Sequence, residues 1–116
     1  MEAACRGAKR GGGTTVGILP GSERHAANEY VDVAVPTGLA EGRNALVVRA
    51  ADAVVAVAGA YGTLSEIALA LRAGTPVVGL DTWELFRDGG PDDGIVRAAT
   101  PEEAVGLALA AASEGR

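Results

Sequence analysis

Three features of this chain have residue types and spacings that could do chemistry: a glycine turn at residues 59–63, a glutamate at 66 and an arginine at 43. The turn reads Gly59, Ala60, Tyr61, Gly62 and Thr63, with almost no side-chain bulk at three of its five positions. A valine-rich run of strand length, residues 53–58, leads into it. Leu64, Ile67, Ala68 and Leu71 follow at helical spacing, and Gly74 stands where a C-terminal glycine belongs. The pattern predicts strand, turn, helix. Such a turn leaves the first N–H groups of the helix without backbone partners, at the positive end of the helix dipole, which suits phosphate or another anion. Glycine lets the anion approach the backbone closely. Glu66 lies near the same helix start, where a carboxylate favours its ionised form and can stabilise positive charge or act as a base. A second reading competes, because Thr63 and Glu66 also have the spacing of a capping box, with the glutamate bonding back to the Thr63 N–H. Arg43 falls near the first turn of a helix predicted at 40–51, where a cation opposes the dipole by about 0.3–1 kcal/mol. Either Glu41 and solvent offset that cost, or Arg43 faces a bound anion.

The elements that must position these residues alternate in type. Residues 2–10 predict a short helix ending at Gly11, Gly12 and Gly13, and residues 14–19 a strand closed by Pro20, Gly21 and Ser22. A polar loop at 22–30 holds His25, the sole histidine, which reads as a solvated surface residue rather than a base. A strand at 30–35, stopped by Pro36, Thr37 and Gly38, precedes the helix at 40–51. After the central unit come a strand at 75–80, an irregular segment at 81–94 with Trp83 and Phe86, and an edge strand at 95–98. Thr100, Pro101 and Glu103 then form a helix start, with threonine as cap, proline at the first position and glutamate three after the cap. The order α-β-β-α-β-α-β-β-α implies a Rossmann-like α/β fold, a mostly parallel sheet sandwiched by helices. In that topology the 59–63 turn, the turn at Gly21 and Ser22 and the start of the Arg43 helix are expected at the carboxyl ends of the strands, where such folds take ligands.

GAYGTLSE, residues 59–66, resembles the P-G-G-x-G-T-x-x-E motif of the LOG or "lysine decarboxylase-like" family of Rossmann-type nucleotide-binding proteins, within the SLOG superfamily. Gly59, Tyr61, Gly62, Thr63, Leu64 and Glu66 fall on the pattern. Ala58 replaces its proline and Ala60 its second glycine. Upstream, GRNALVVRAAD resembles the family's segment R-K-x-x-x-x-x-x-x-D, with Arg43 on the arginine, Asn44 in place of the lysine and Asp52 on the aspartate. The resemblance covers essentially the whole chain and is strongest to a branch similar to molybdenum-cofactor carrier proteins. It implies ligand contacts from Gly21, Ser22, Arg43, Asn44, Gly59, Ala60, Tyr61, Gly62 and Thr63, and a homo-oligomer, dimer or tetramer. In the family's enzymes, which hydrolyse the N-glycosidic bond of nucleoside 5′-monophosphates, Arg43 and Glu66 would be catalytic. A carboxylate there stabilises the ribosyl cation and orients water. Family members also carry a strand, a helix and a strand before a G-G-x-x-G loop whose tail resembles Met1, Glu2, Ala3 and Ala4. By that measure the sequence starts inside the family's first phosphate-binding motif and is truncated relative to it.

Composition narrows the partners. At 116 residues one domain spanning 1–116 is expected, with a core of valine, alanine and leucine, because only 3% of residues are aromatic. A net charge of −5 offers no basic stripe for nucleic acid. One cysteine, Cys5, excludes an internal disulfide and fits a reducing cytoplasm; it reads as packing rather than nucleophile. No apolar run reaches membrane-spanning length, and no metal-ligand spacing occurs. Three functions remain: binding of a nucleotide or phosphorylated cofactor, including the molybdenum cofactor; a nucleoside 5′-monophosphate phosphoribohydrolase; and a catalytically inactive oligomeric subunit. Asn44, Ala58 and Ala60 depart from the enzyme motif, and binding with no required cofactor is the expectation.

Overall fold

The computed structural model describes residues 1–114. The chain forms two compact units, Met1–Leu46 and Val47–Arg116.

In the first unit, helix α1 (Glu2–Arg10) ends in the glycine run, and Gly12 takes the left-handed conformation at φ 78° that lets the chain reverse. Strands β1 (Val16–Leu19) and β2 (Val33–Pro36) pair in parallel, Val16 beside Val33 and Leu19 beside Pro36. The second strand starts three residues later than the sequence predicts and takes in the proline expected to stop it. Proline is tolerated because it stands at the last position of a two-stranded sheet. The polar loop between them holds one 3-10 turn, Arg24–Ala26, where His25 is exposed with its imidazole 3.6 Å from Glu23.

The amino ends of β1 and β2 are joined by a polar knot. Asp32 Oδ2 accepts hydrogen bonds from the Thr15 N–H at 2.8 Å and from Lys9 Nζ at 2.9 Å. The Asp32 N–H donates to Thr15 Oγ1 at 2.8 Å, and buried Thr15 donates onward to the Tyr30 carbonyl. The Thr15 N–H, then Lys9, hold the Asp32 carboxyl below the usual carboxylate range. A depressed native pKa contributes stability that is present at neutral pH and lost as the pH falls through it. Asp32→Asn should therefore lower the melting temperature at pH 7. The gap between the two proteins should narrow as the pH falls below about 4, where the unfolded aspartate takes up its proton, and close only where the depressed native carboxyl is protonated as well. Calorimetric melts of both proteins across that range check this, and a pH-independent gap would refute it.

In the second unit three parallel strands stand in the order β3 (Val54–Val57), β4 (Val77–Leu80), β7 (Ile95–Arg97). Helices α3 (Tyr61–Ala73) and α4 (Pro101–Glu114) both pack on β3 and β4. Central β4 is buried at every residue, as a parallel strand covered on both faces should be. The same burial does not extend to β3, where Ala56 is buried but Val55 and Val57 are exposed, nor to β1 and β2, where Val16, Val33 and Val35 are exposed. Ile67 and Ala70 of α3 are fully buried against Val48, Ala56, Val77 and Ile95. Gly74 ends α3 at φ 78°, and the Thr75 N–H bonds to the Ala70 carbonyl at 2.9 Å, a left-handed glycine cap as the sequence predicts. Thr100 caps α4 through its Oγ1 and the Glu103 N–H at 3.1 Å, while Glu103 reaches back to the Ala99 N–H.

Two predictions need correcting. Residues 81–94 are not wholly irregular: β5 (Phe86–Arg87) and β6 (Gly90–Pro91) form a small antiparallel hairpin. Its two turn residues, Asp88 and Gly89, have φ of 55° and 78°, the double left-handed geometry that an Asp-Gly pair favours. The helix predicted at 40–51 is a 3-10 turn at Ala40–Gly42 followed by a short α2 (Arg43–Arg49).

Candidate functional site

The predicted residues collect at the carboxyl ends of strands, one group in each unit.

In the first unit the group surrounds the end of β1. The Gly21 carbonyl accepts from the Gly38 N–H at 2.8 Å, and the Pro20 carbonyl from the Ala40 N–H at 3.0 Å. Both donors sit in or beside left-handed backbone, Gly38 at φ 66° and Ala40 at φ 50°. Thr37 Oγ1 donates to the Leu19 carbonyl at 2.7 Å. Arg43 is half-buried and held by two bonds, Nη1 to the Ile18 carbonyl at 2.7 Å and Nε to Asn44 Oδ1 at 3.1 Å. Two of the five guanidinium N–H donors thus anchor the group to the end of β1. Asn44 is 5% exposed, and its amide oxygen supports the arginine.

The second group is the turn between β3 and α3. Helix α3 starts at Tyr61, so Tyr61, Gly62 and Thr63 belong to its first turn rather than to a preceding loop. Ala60 is the N-cap, and no side chain caps it. This overturns the capping-box reading of Thr63 and Glu66. Thr63 lies inside the helix, where its side chain packs against Gly59 instead. A Cβ built on Gly59 would stand 2.1 Å from Thr63 Oγ1 and 2.4 Å from its Cβ, and Gly59 itself is at φ 93°. Only glycine fits there. Glu66 is half-buried in the second turn of α3, and neither it nor Asp52 lacks a partner.

The backbone of the turn is held by the loop after β4. Thr82 Oγ1 donates to the Ala58 carbonyl at 2.6 Å, and Trp83 Nε1 to the Ala60 carbonyl at 3.0 Å. Ala58, at φ 47°, and Asp81, at φ 50°, are both left-handed where the chain leaves β3 and β4. A proline cannot adopt that angle, so alanine at 58 in place of the family's proline accompanies a backbone that proline would forbid. The two carbonyls are thereby occupied, while the opening N–H groups of a thirteen-residue helix have no intrahelical acceptor. Chemically the arrangement attracts an anion. Sequence reasoning missed the part of Thr82 and Trp83 in it, since neither lies in the motif.

Residues 1–105 match the model of the SLOG cluster4 family. The chain belongs to the SLOG cluster4 family. An uncharacterized protein of Archaeoglobus fulgidus is 38% identical over 109 residues, spanning 94% of this chain and 68% of its own length. Among solved structures, the molybdenum cofactor binding protein of the phototrophic bacterium Rippkaea orientalis is 34% identical with a TM-score of 0.77, covering 95% of this chain and 69% of that one. A molybdenum cofactor carrier protein of Chlamydomonas reinhardtii gives 32% identity and the same TM-score and coverage. The Rossmann-like α/β architecture of this SLOG cluster4 chain, parallel strands flanked by helices, is shared with those two proteins.

Other features of this family member are plain. Among the described residues no group of three or more His, Cys, Asp or Glu side chains could hold a metal ion. No described helix is long and apolar enough to cross a membrane. An apolar groove between α4 and strands β4 and β7, lined by Val77, Val78, Val96, Leu107 and Ala111, contains none of the predicted residues.

Proposed function

We propose that this protein binds a phosphorylated cofactor of the molybdenum-cofactor type as cargo, with its phosphate on the N–H groups that open α3. The carrying observation is the β3–α3 turn itself. Its helix start has no side-chain cap, and its Ala58 and Ala60 carbonyls are tied to Thr82 and Trp83, so donors rather than acceptors are offered to a ligand. Similarity to proteins described as binding or carrying the molybdenum cofactor supports the choice of this ligand over a free nucleotide. Within the first unit, Arg43, anchored at the end of β1, is the cation that the family motif assigns to an anionic ligand.

Gly62 gives the direct test. It lies in the first turn of α3, and a Cβ there would meet no atom within 4 Å. Gly62→Val should therefore fold as the parent does, because valine is no worse than glycine in a helix. The added bulk would crowd the N–H groups. Calorimetric titration with inorganic phosphate and GMP should show about three- to tenfold weaker binding of both, a loss of about 0.7–1.4 kcal/mol. Loading with molybdenum cofactor, read by native mass spectrometry, should fall in parallel. Equal affinity in both proteins would make residues 59–63 a turn and nothing more.

A further inference from the structure

Aromatic residues are scarce in this chain, four in 116, yet two of them meet at the turn just described. Tyr61 is the first residue of α3, and Trp83 belongs to the loop after β4. Their ring centroids are 5.7 Å apart with the planes at 34°. The two differ sharply in surroundings. Trp83 is half-buried against the core of Ile67, Val77 and their neighbours, and its indole N–H is bonded to the Ala60 carbonyl. Its position is therefore set from two sides. Tyr61 rests against that indole and is 79% exposed.

A large ring held on one side and left open on the other is unfavourable as packing and favourable as a platform. Any heterocyclic ring has a π face that can stack on it. Position makes the ligand a small one: the N–H of Tyr61 is among the donors that open α3, so a phosphate on those donors and a ring on the phenol belong within one molecule. A net charge of −5 offers nothing to a longer nucleic-acid strand. We infer that Tyr61 is the stacking surface for the planar heterocycle of the cargo, and that Trp83 is the positioning residue that holds the phenol ring in place. The inference rests on the phosphate reading of the same turn. It adds the selection: the ring, and not only the phosphate, distinguishes the ligand.

The test uses the full chain and three probes: inorganic phosphate, ribose 5-phosphate and GMP, whose guanine is a planar fused heterocycle. Wild type should bind GMP about tenfold more tightly than ribose 5-phosphate in calorimetric titration. Tyr61→Phe should retain the difference. Tyr61→Leu keeps apolar bulk against Trp83 but has no π face, so it should bring GMP to the affinity of ribose 5-phosphate while leaving ribose 5-phosphate and phosphate unchanged. Trp83 is the single tryptophan, so its emission reports on the site. GMP should alter it in wild type and Tyr61→Phe more than ribose 5-phosphate does. Equal binding of GMP and ribose 5-phosphate by wild type, or a retained preference in Tyr61→Leu, overturns the stacking role and leaves the phosphate site standing. Failure of all three probes to bind wild type overturns the phosphate site and the stacking role together.

Discussion

Gly59→Ala should destabilise the protein by about 2–5 kcal/mol and lower its melting temperature by about 10 °C or more. Two effects coincide at this residue. Its φ of 93° lies where an L side chain is strained. Its missing Cβ is also the space in which Thr63 sits, at 2.1 to 2.8 Å from three threonine atoms. Contacts that short within a rigid strand-to-helix connection cannot be relieved by a rotamer change, because one of the three atoms is the Thr63 Cβ. The two residues should therefore be coupled. Thr63→Gly alone should cost only about 0.3–0.5 kcal/mol in helix propensity. Combined with Gly59→Ala it should recover the crowding part, so that the double variant is more stable than the separate losses imply by about 1–3 kcal/mol. Urea titration of the four proteins measures the coupling. Additive losses would mean that the strain at φ 93° alone requires the glycine.

Arg43 and Glu66 separate carrier from enzyme, and the second large effect belongs to the arginine. A phosphoribohydrolase needs a cation to hold its substrate and a carboxylate to stabilise the ribosyl cation, whereas a carrier needs only the anion contacts. Arg43→Ala should weaken GMP binding by about 1.5–3 kcal/mol, the worth of a charged hydrogen bond, or roughly 10- to 150-fold. Loss of its bonds to the Ile18 carbonyl and to buried Asn44 should also lower stability, so affinity is measured well below the melting temperature. Glu66→Gln keeps the size of the side chain and removes its charge. It should leave GMP affinity nearly intact, and wild type should release no free guanine from GMP. Release by wild type that disappears in Glu66→Gln would make the protein an N-glycosyl hydrolase and remove the carrier reading.

The sequence by itself determined the elements whose causes are local. Helix α3 follows from apolar residues spaced along one face, and its end from Gly74, which only needed to adopt a left-handed angle. Helix α4 starts where threonine, proline and glutamate stand at capping positions. β4 is legible because an apolar run of strand length between a proline and an aspartate has few other conformations open to it. The family motif likewise resides in a continuous stretch, so the position of the turn could be read directly. What the turn does with those residues could not. Thr63 and Glu66 have capping-box spacing, yet the helix begins three residues earlier than a Thr63 cap would give, at Tyr61, and Thr63 packs on Gly59. Spacing alone does not say which N–H opens a helix; that depends on where the strand ends and which way the chain leaves it. The roles of Thr82 and Trp83 depend on the parallel pairing of β3 with β4, which brings two loops more than twenty residues apart in sequence to one edge. Arg43 carries a similar lesson, since its anchor on the Ile18 carbonyl joins residues 25 apart in sequence. Hydrogen bonds and ring contacts of this kind join residues distant along the chain, and only the tertiary structure decides which of them meet.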